Sequence, residues 1–109
     1  MLNLIKFNKK YYQSIIDGIK TQTLRTSNKR LTENEIVKAI FPGTELELKI
    51  KITNTGYKQF KYLDEEDAML EGYDSLDELK KDLLSIYPRL DNFDRLYYYR
   101  FEVVDNDAW

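Results

Sequence analysis

The stretch GIKTQTLR, Gly18 to Arg25, marks the junction between a helix-like segment and a strand-like one. Upstream, Asn8 can cap a helix through about Asp17, with Tyr12, Ile15, Ile16 and Ile19 at helical spacing and Gly18 where a left-handed glycine ends the last turn. From Thr21 the period becomes two. Thr21, Thr23 and Arg25 share one face, and Gln22 and Leu24 share the other. Strict alternation sets Lys20 against Thr23, so Lys20 reaches the same side only if it belongs to the preceding turn. A strand face of hydroxyls and a guanidinium either meets water or lines an interior. Inside, each unpaired group costs about 1–3 kcal/mol, so partners are required.

Before this junction, Leu2 to Phe7 alternates loosely and reads as a short edge strand. After it, Thr26 to Leu31 is a polar, basic loop. Thr32-Glu33-Asn34-Glu35 has the form of a capping box, which predicts a short helix to about Ile40, broken at Phe41-Pro42-Gly43. The clearest strand runs from Glu45 to Thr53, where Leu46, Leu48, Ile50 and Ile52 alternate with Glu45, Glu47, Lys49 and Lys51. Asn54-Thr55-Gly56 predicts a hairpin turn, with Tyr57 to Tyr62 returning as the antiparallel partner.

Acids at Asp64 to Asp67 suit the start of a helix that ends near Glu71-Gly72-Tyr73. Ser75-Leu76-Asp77-Glu78 is a second capping box. The apolar stripe Leu76, Leu79, Leu83 and Ile86 extends its helix to Tyr87-Pro88. A last strand begins after about Asp94, with Tyr97, Tyr99, Phe101 and Val103 on one face and Tyr98, Arg100 and Glu102 on the other. Strands and helices alternate, yet the helices are short and the hairpin signal is antiparallel. The expected class is α+β, a small barrel of mainly antiparallel strands flanked by short helices. Residues 1–104 form one domain, and 105–109 a short tail in which Trp109 is loose or packed on a partner.

The 109 residues suit one domain, and 42% hydrophobic with 33% charged residues is the balance of an ordinary globular protein. No cysteine and no histidine occur. Disulfides, thiolate metal sites, the Ser-His-Asp triad and the Cys-His dyad are therefore excluded. Catalysis must fall to Lys, Asp, Glu, Tyr, Ser or Thr. No apolar run approaches a membrane span and MLNLIKF lacks a signal-peptide core, so a cytoplasmic protein is expected. The net charge of −2 is uneven: residues 1–40 carry +5 and the remainder −7. The basic portion suits phosphates or a solvated face.

GIKTQTLR after an amphipathic helix, DAMLEGYDSLDELKKDLLSIYP, and the final aromatic strand YYYRFEVV together resemble the ASCH superfamily, whose barrel is PUA-like. The resemblance covers about Phe7 to Val104. It is nearest to the small bacterial N4-acetylcytidine amidohydrolases. That resemblance implies a catalytic lysine, threonine and glutamate at Lys20, Thr23 and Glu71, with Arg25 and Thr21 as substrate-binding neighbours. It implies release of cytidine and acetate from N4-acetylcytidine, with no metal and no organic cofactor.

The residue types suit such chemistry. Amide hydrolysis needs an oxygen nucleophile, a base and an acid for the departing nitrogen. Thr23 supplies a hydroxyl, and Lys20 is a base if burial or Arg25 lowers its proton affinity, whereas a nearby carboxylate holds it charged. The same side chains also make sense as a salt bridge, a strand hydroxyl and a surface cation. The competing expectation is a non-catalytic RNA-binding module in which Lys9, Lys10, Lys29 and Arg30 meet phosphates and tyrosines stack on bases. A ribonuclease is a third possibility, though without histidine its acid–base pair is hard to assign. The expected partner is a small nucleoside, or RNA, and not a membrane. The oligomeric state is left open.

Overall fold

A thirteen-residue strand, β4 (Glu47–Gln59), carries most of the pairing in the computed structural model, which describes residues 1–104. The expected tail with Trp109 lies outside the described residues. Around β4 stand β1 (Leu4–Lys6), β2 (Gln22–Arg25), β3 (Ile36–Ile40) and β5 (Arg95–Val103), in the order β1-β3-β4-β5-β2. β1 pairs with β3 in parallel, and the other three pairings are antiparallel. The short helices are α1 (Tyr12–Ile16), α2 (Glu65–Leu70) and α3 (Leu76–Ile86). The expected α+β class and mainly antiparallel pairing are present, and β1 is an edge strand as its pattern predicts.

The sheet curls without closing. β1 and β2 stand at opposite ends of its order, and Arg25 Nη2 donates to the Lys6 carbonyl oxygen at 2.7 Å. A side chain thus bridges the seam.

Two readings fail for physical reasons. Ile36 to Ile40 is β3, not a helix. Half of the capping box does form, since Glu35 Oε1 accepts from Thr32 N at 3.0 Å, but Asn34 at φ +70° turns the chain out of helical geometry. The β-branched Ile36 and Val37 then favour a strand with Val37 and Ala39 buried. Asn54-Thr55-Gly56 is also no turn. β4 continues through it, bent by a register shift between Ile52 and Asn54, and Tyr57 pairs with Tyr97 of β5. Gly56 is there for close approach, because a Cβ at this position would lie 2.6 Å from Tyr98 Oη.

The sheet separates two apolar cores. Inside the curl, Ile5, Phe7, Phe41, Ile50, Ile52 and Phe101 pack together. On the outer face, Leu24 and Leu96 meet Leu63, Ala68, Leu79 and Leu83 from α2, α3 and the turn before them. Ser75 caps α3 as its capping box predicts, accepting from Glu78 N at 3.2 Å. The predicted stripe is buried at Leu79 and Leu83, while Ile86 is exposed. On the first helix, Ile15 is buried but Ile16 and Ile19 are exposed. That helix is shorter than expected, a 3₁₀ turn at Lys9–Tyr11 capped by Asn8 followed by five α-helical residues.

Candidate functional site

Two helix ends meet beside the seam. After α1, Gly18 takes φ +71° and the Ile19 and Lys20 amides both donate to the Ser14 carbonyl oxygen, at 2.9 and 3.0 Å. Lys20 therefore belongs to the turn, as the alternation requires. α2 begins with Asp64 and Asp67 in a reciprocal capping box and ends at Glu71, after which Gly72 takes φ +88°. The two ends are tied by Thr21 N donating to the Leu70 carbonyl oxygen at 2.7 Å. Gly72 sits against Ile19 and Lys20, where an added Cβ would be 3.5 Å from Ile19 Cγ2 and 3.7 Å from Lys20 Cβ.

This docking sets Lys20 Nζ 3.1 Å from Glu71 Oε1, with the two residues only 4% and 6% exposed. Lys20 Nζ also lies over the Tyr11 ring, 4.8 Å from its centre. Glu71 Oε2 is buried and accepts no hydrogen bond among the described residues. Burial raises the Glu71 carboxyl above its ordinary value, and the adjacent Lys20 only partly offsets that effect.

On β2, Thr23 is buried and its Oγ1 accepts from Arg25 Nε at 2.9 Å. Arg25 packs over Phe7, 5.1 Å from the ring centre, and burial lowers its guanidinium from the ordinary value. Lys20, Thr23, Arg25 and Glu71 all line one cavity of about 290 Å³. That volume is at the small end of the ~300–1,000 Å³ typical of small-molecule sites. Thr21 stands apart. It lines a different, smaller cavity with Ile15, Gly18 and Phe101.

Sequence reasoning missed the opposite wall. Tyr11, Tyr73 and Asp82 line the same cavity. Tyr73 Oη donates a short hydrogen bond to Asp82 Oδ2, and Tyr11 Oη donates to the same oxygen at 3.3 Å. Burial, followed by the bond to Asp82, pushes the Tyr73 phenol far above its ordinary value, so it stays protonated. The available signal was Asp82 itself, a carboxylate one helical turn beyond Leu79 and bordering the buried stripe of α3.

The cations expected to meet phosphates divide by element. Lys9 and Lys10 are on the turn before α1, and Lys29 and Arg30 are on the loop between β2 and β3. Lys10, with Lys6, reaches the cavity lining. Among the described residues, no group of three or more Asp and Glu side chains is arranged to hold a metal ion. No described helix is long and apolar enough to cross a membrane.

No protein-family model matches the chain, and no curated protein matches it in sequence. Solved structures do. A protein of Enterococcus faecalis V583 from the family DUF984 superposes with a TM-score of 0.77 at 20% identity, covering 96% of this chain and 77% of its own. An ASCH domain from Lactobacillus crispatus gives 0.76 at 16% identity, with 94% and 79% covered. A mutant form of an ASCH protein from Zymomonas mobilis gives 0.65 at 8% identity, with 95% and 75% covered. These likenesses establish the ASCH-type, PUA-like fold expected from the sequence.

Proposed function

We infer that the cavity is the active site of an amidohydrolase that removes the acetyl group from N4-acetylcytidine, or a related N-acylated nucleoside, giving cytidine and acetate. The observation that carries this reading is the meeting of Lys20, Thr23 and Glu71 in one small cavity, with the lysine and the carboxylate paired and almost fully buried. In this reading Thr23 Oγ1 attacks the acyl carbon while its proton passes to Lys20 Nζ. The bond from carbon to N4 breaks as the nitrogen takes a proton from Glu71, and water then frees acetate from the threonine ester. One water is consumed overall.

The Lys20–Glu71 pair gains the Thr23 proton at lysine and gives the Glu71 proton to N4, so its proton count is unchanged by acylation. Burial raises Glu71 toward the form in which its carboxyl holds the proton that passes to N4. Arg25, donating to Thr23 Oγ1 at 2.9 Å, favours negative charge on that oxygen. The side chain expected to flank the substrate thus touches the nucleophile directly. Acetate release from N4-acetylcytidine tests the reading, and Thr23→Ala, which leaves the ion pair in place, lowers kcat/KM by at least ~100-fold. Unchanged turnover in that variant contradicts it.

A second reading is a non-catalytic RNA-binding module, favoured by exposed Lys6 and Lys10 at the cavity lining. It predicts RNA binding that falls steeply with salt and no acetate release.

A further inference from the structure

The Lys20–Glu71 end of the cavity accounts for an acyl group and an amine, but not for the wall formed by Tyr11, Tyr73 and Asp82. Those three residues come from the turn before α1, the connection between α2 and α3, and α3 itself. Their side chains are only half-buried, in contrast to the deeply buried ion pair. Both phenols donate to Asp82 Oδ2, which leaves Oδ1 to accept from a ligand. The two phenol oxygens lie 3.4 Å apart and hold the same carboxylate oxygen, so residues from two other segments set the orientation of Asp82.

A fixed carboxylate with one open oxygen accepts from an O–H or N–H donor, and the sugar of a ribonucleoside offers hydroxyls for it. It repels phosphate and gains nothing from a carbonyl. Carboxylates hold ribose hydroxyls in this way in other nucleotide-binding folds. The apolar residues Leu79, Leu83 and Ile86 line the cavity beside Asp82 and provide contact for a ring.

We propose that Asp82, oriented by Tyr11 and Tyr73, is a sugar-recognising residue that accepts a ribose hydroxyl and makes the cavity select a ribonucleoside over the free base. This rests on the amidohydrolase reading for the identity of the base, but not for the sugar contact itself. A hydrogen bond to a charged group is expected to contribute about 10- to 100-fold.

The test compares kcat/KM for N4-acetylcytidine, N4-acetyl-2′-deoxycytidine and N4-acetylcytosine in the wild-type protein and in Asp82→Asn. The asparagine keeps an acceptor for the phenols but turns an amide N–H₂ toward the ligand. The wild type is expected to favour the ribonucleoside over the free base by about 10-fold or more, and Asp82→Asn to bring that ratio toward one. Equal turnover of nucleoside and base by the wild type, or an unchanged ratio in Asp82→Asn, overturns the proposal while leaving the hydrolase reading intact. If none of the three is hydrolysed, the hydrolase reading fails and calorimetry on the wild type decides the sugar contact. Cytidine binding about 10-fold more tightly than cytosine supports it, and equal or absent binding of the two overturns it.

Discussion

Lys20 and Glu71, 3.1 Å apart and almost free of solvent, are expensive to bury as an ion pair. The attraction between them repays the desolvation of both only in part. Removing one partner leaves the other uncompensated, at a cost of about 3–5 kcal/mol, whereas replacing both by apolar side chains is neutral or stabilising by about 1–4 kcal/mol. Lys20→Met and Glu71→Leu are therefore expected to lower the free energy of unfolding singly and to restore or exceed it together, as read by urea denaturation. A double variant less stable than both singles contradicts the buried-pair account. Glu71 also sets a pH signature. Its folded value is raised, so stability contributed by the neutral acid is present below the unfolded value and lost as pH rises through the folded one. Because the reading needs Glu71 as proton donor, kcat/KM for acetyl release should fall as pH rises through the folded value of Glu71, and that limb should lie above the ordinary glutamate value of 4.5. A limb at or below that value places the essential carboxyl elsewhere. The resemblance grouped Lys20, Thr23 and Glu71, which line one cavity, whereas no local pattern ties the Gly18 to Arg25 junction to Glu71. Asp82 was not legible, since its one mark, a carboxylate bordering the apolar stripe of a charged helix, gains meaning only where Tyr11 and Tyr73 approach it.

At the scale of elements, the misread segments share one cause: a local signal that is real but outvoted. Thr32 and Glu35 do make their bond, yet Asn34 at φ +70° and the β-branched residues after it send the chain into β3. Asn54-Thr55-Gly56 has turn composition, but Gly56 answers to Tyr98, which lies far along the sequence and directly across the ladder. Gly56→Ala should destabilise the protein by about 1–3 kcal/mol in chemical denaturation, since the new methyl group meets a tyrosine ring held by the outer core. Adding Tyr98→Leu should recover part of that loss. A neutral Gly56→Ala contradicts the close-approach explanation. The Ser75 cap of α3 and the alternation of Leu48, Ile50 and Ile52 were legible because those signals and the tertiary contacts agree.

For the molecule as a whole, the cavity exists because the sheet curls but does not close. Arg25 holds Lys6 across the seam while touching Thr23, so one side chain links architecture to the candidate nucleophile. Behind the site, buried Asp67 accepts from Gln22 at 3.1 Å and from Lys58 at 2.7 Å, and Gln22 accepts from Arg100 at 2.9 Å. This network fixes α2, and with it Glu71, against β2, β4 and β5. The class of fold was legible from the alternation of short helices and strands. The open seam was not, because no local pattern states how far a sheet curls. The central claim is that residues from the turn after α1 and the end of α2 act as one catalytic unit. A double-mutant cycle on kcat/KM for acetate release from N4-acetylcytidine, using Lys20→Met and Glu71→Leu, tests it most directly. The account predicts that the wild type turns over and that the double variant loses no more activity than the worse single one. Losses that multiply, or a wild-type protein that releases no acetate, would contradict it.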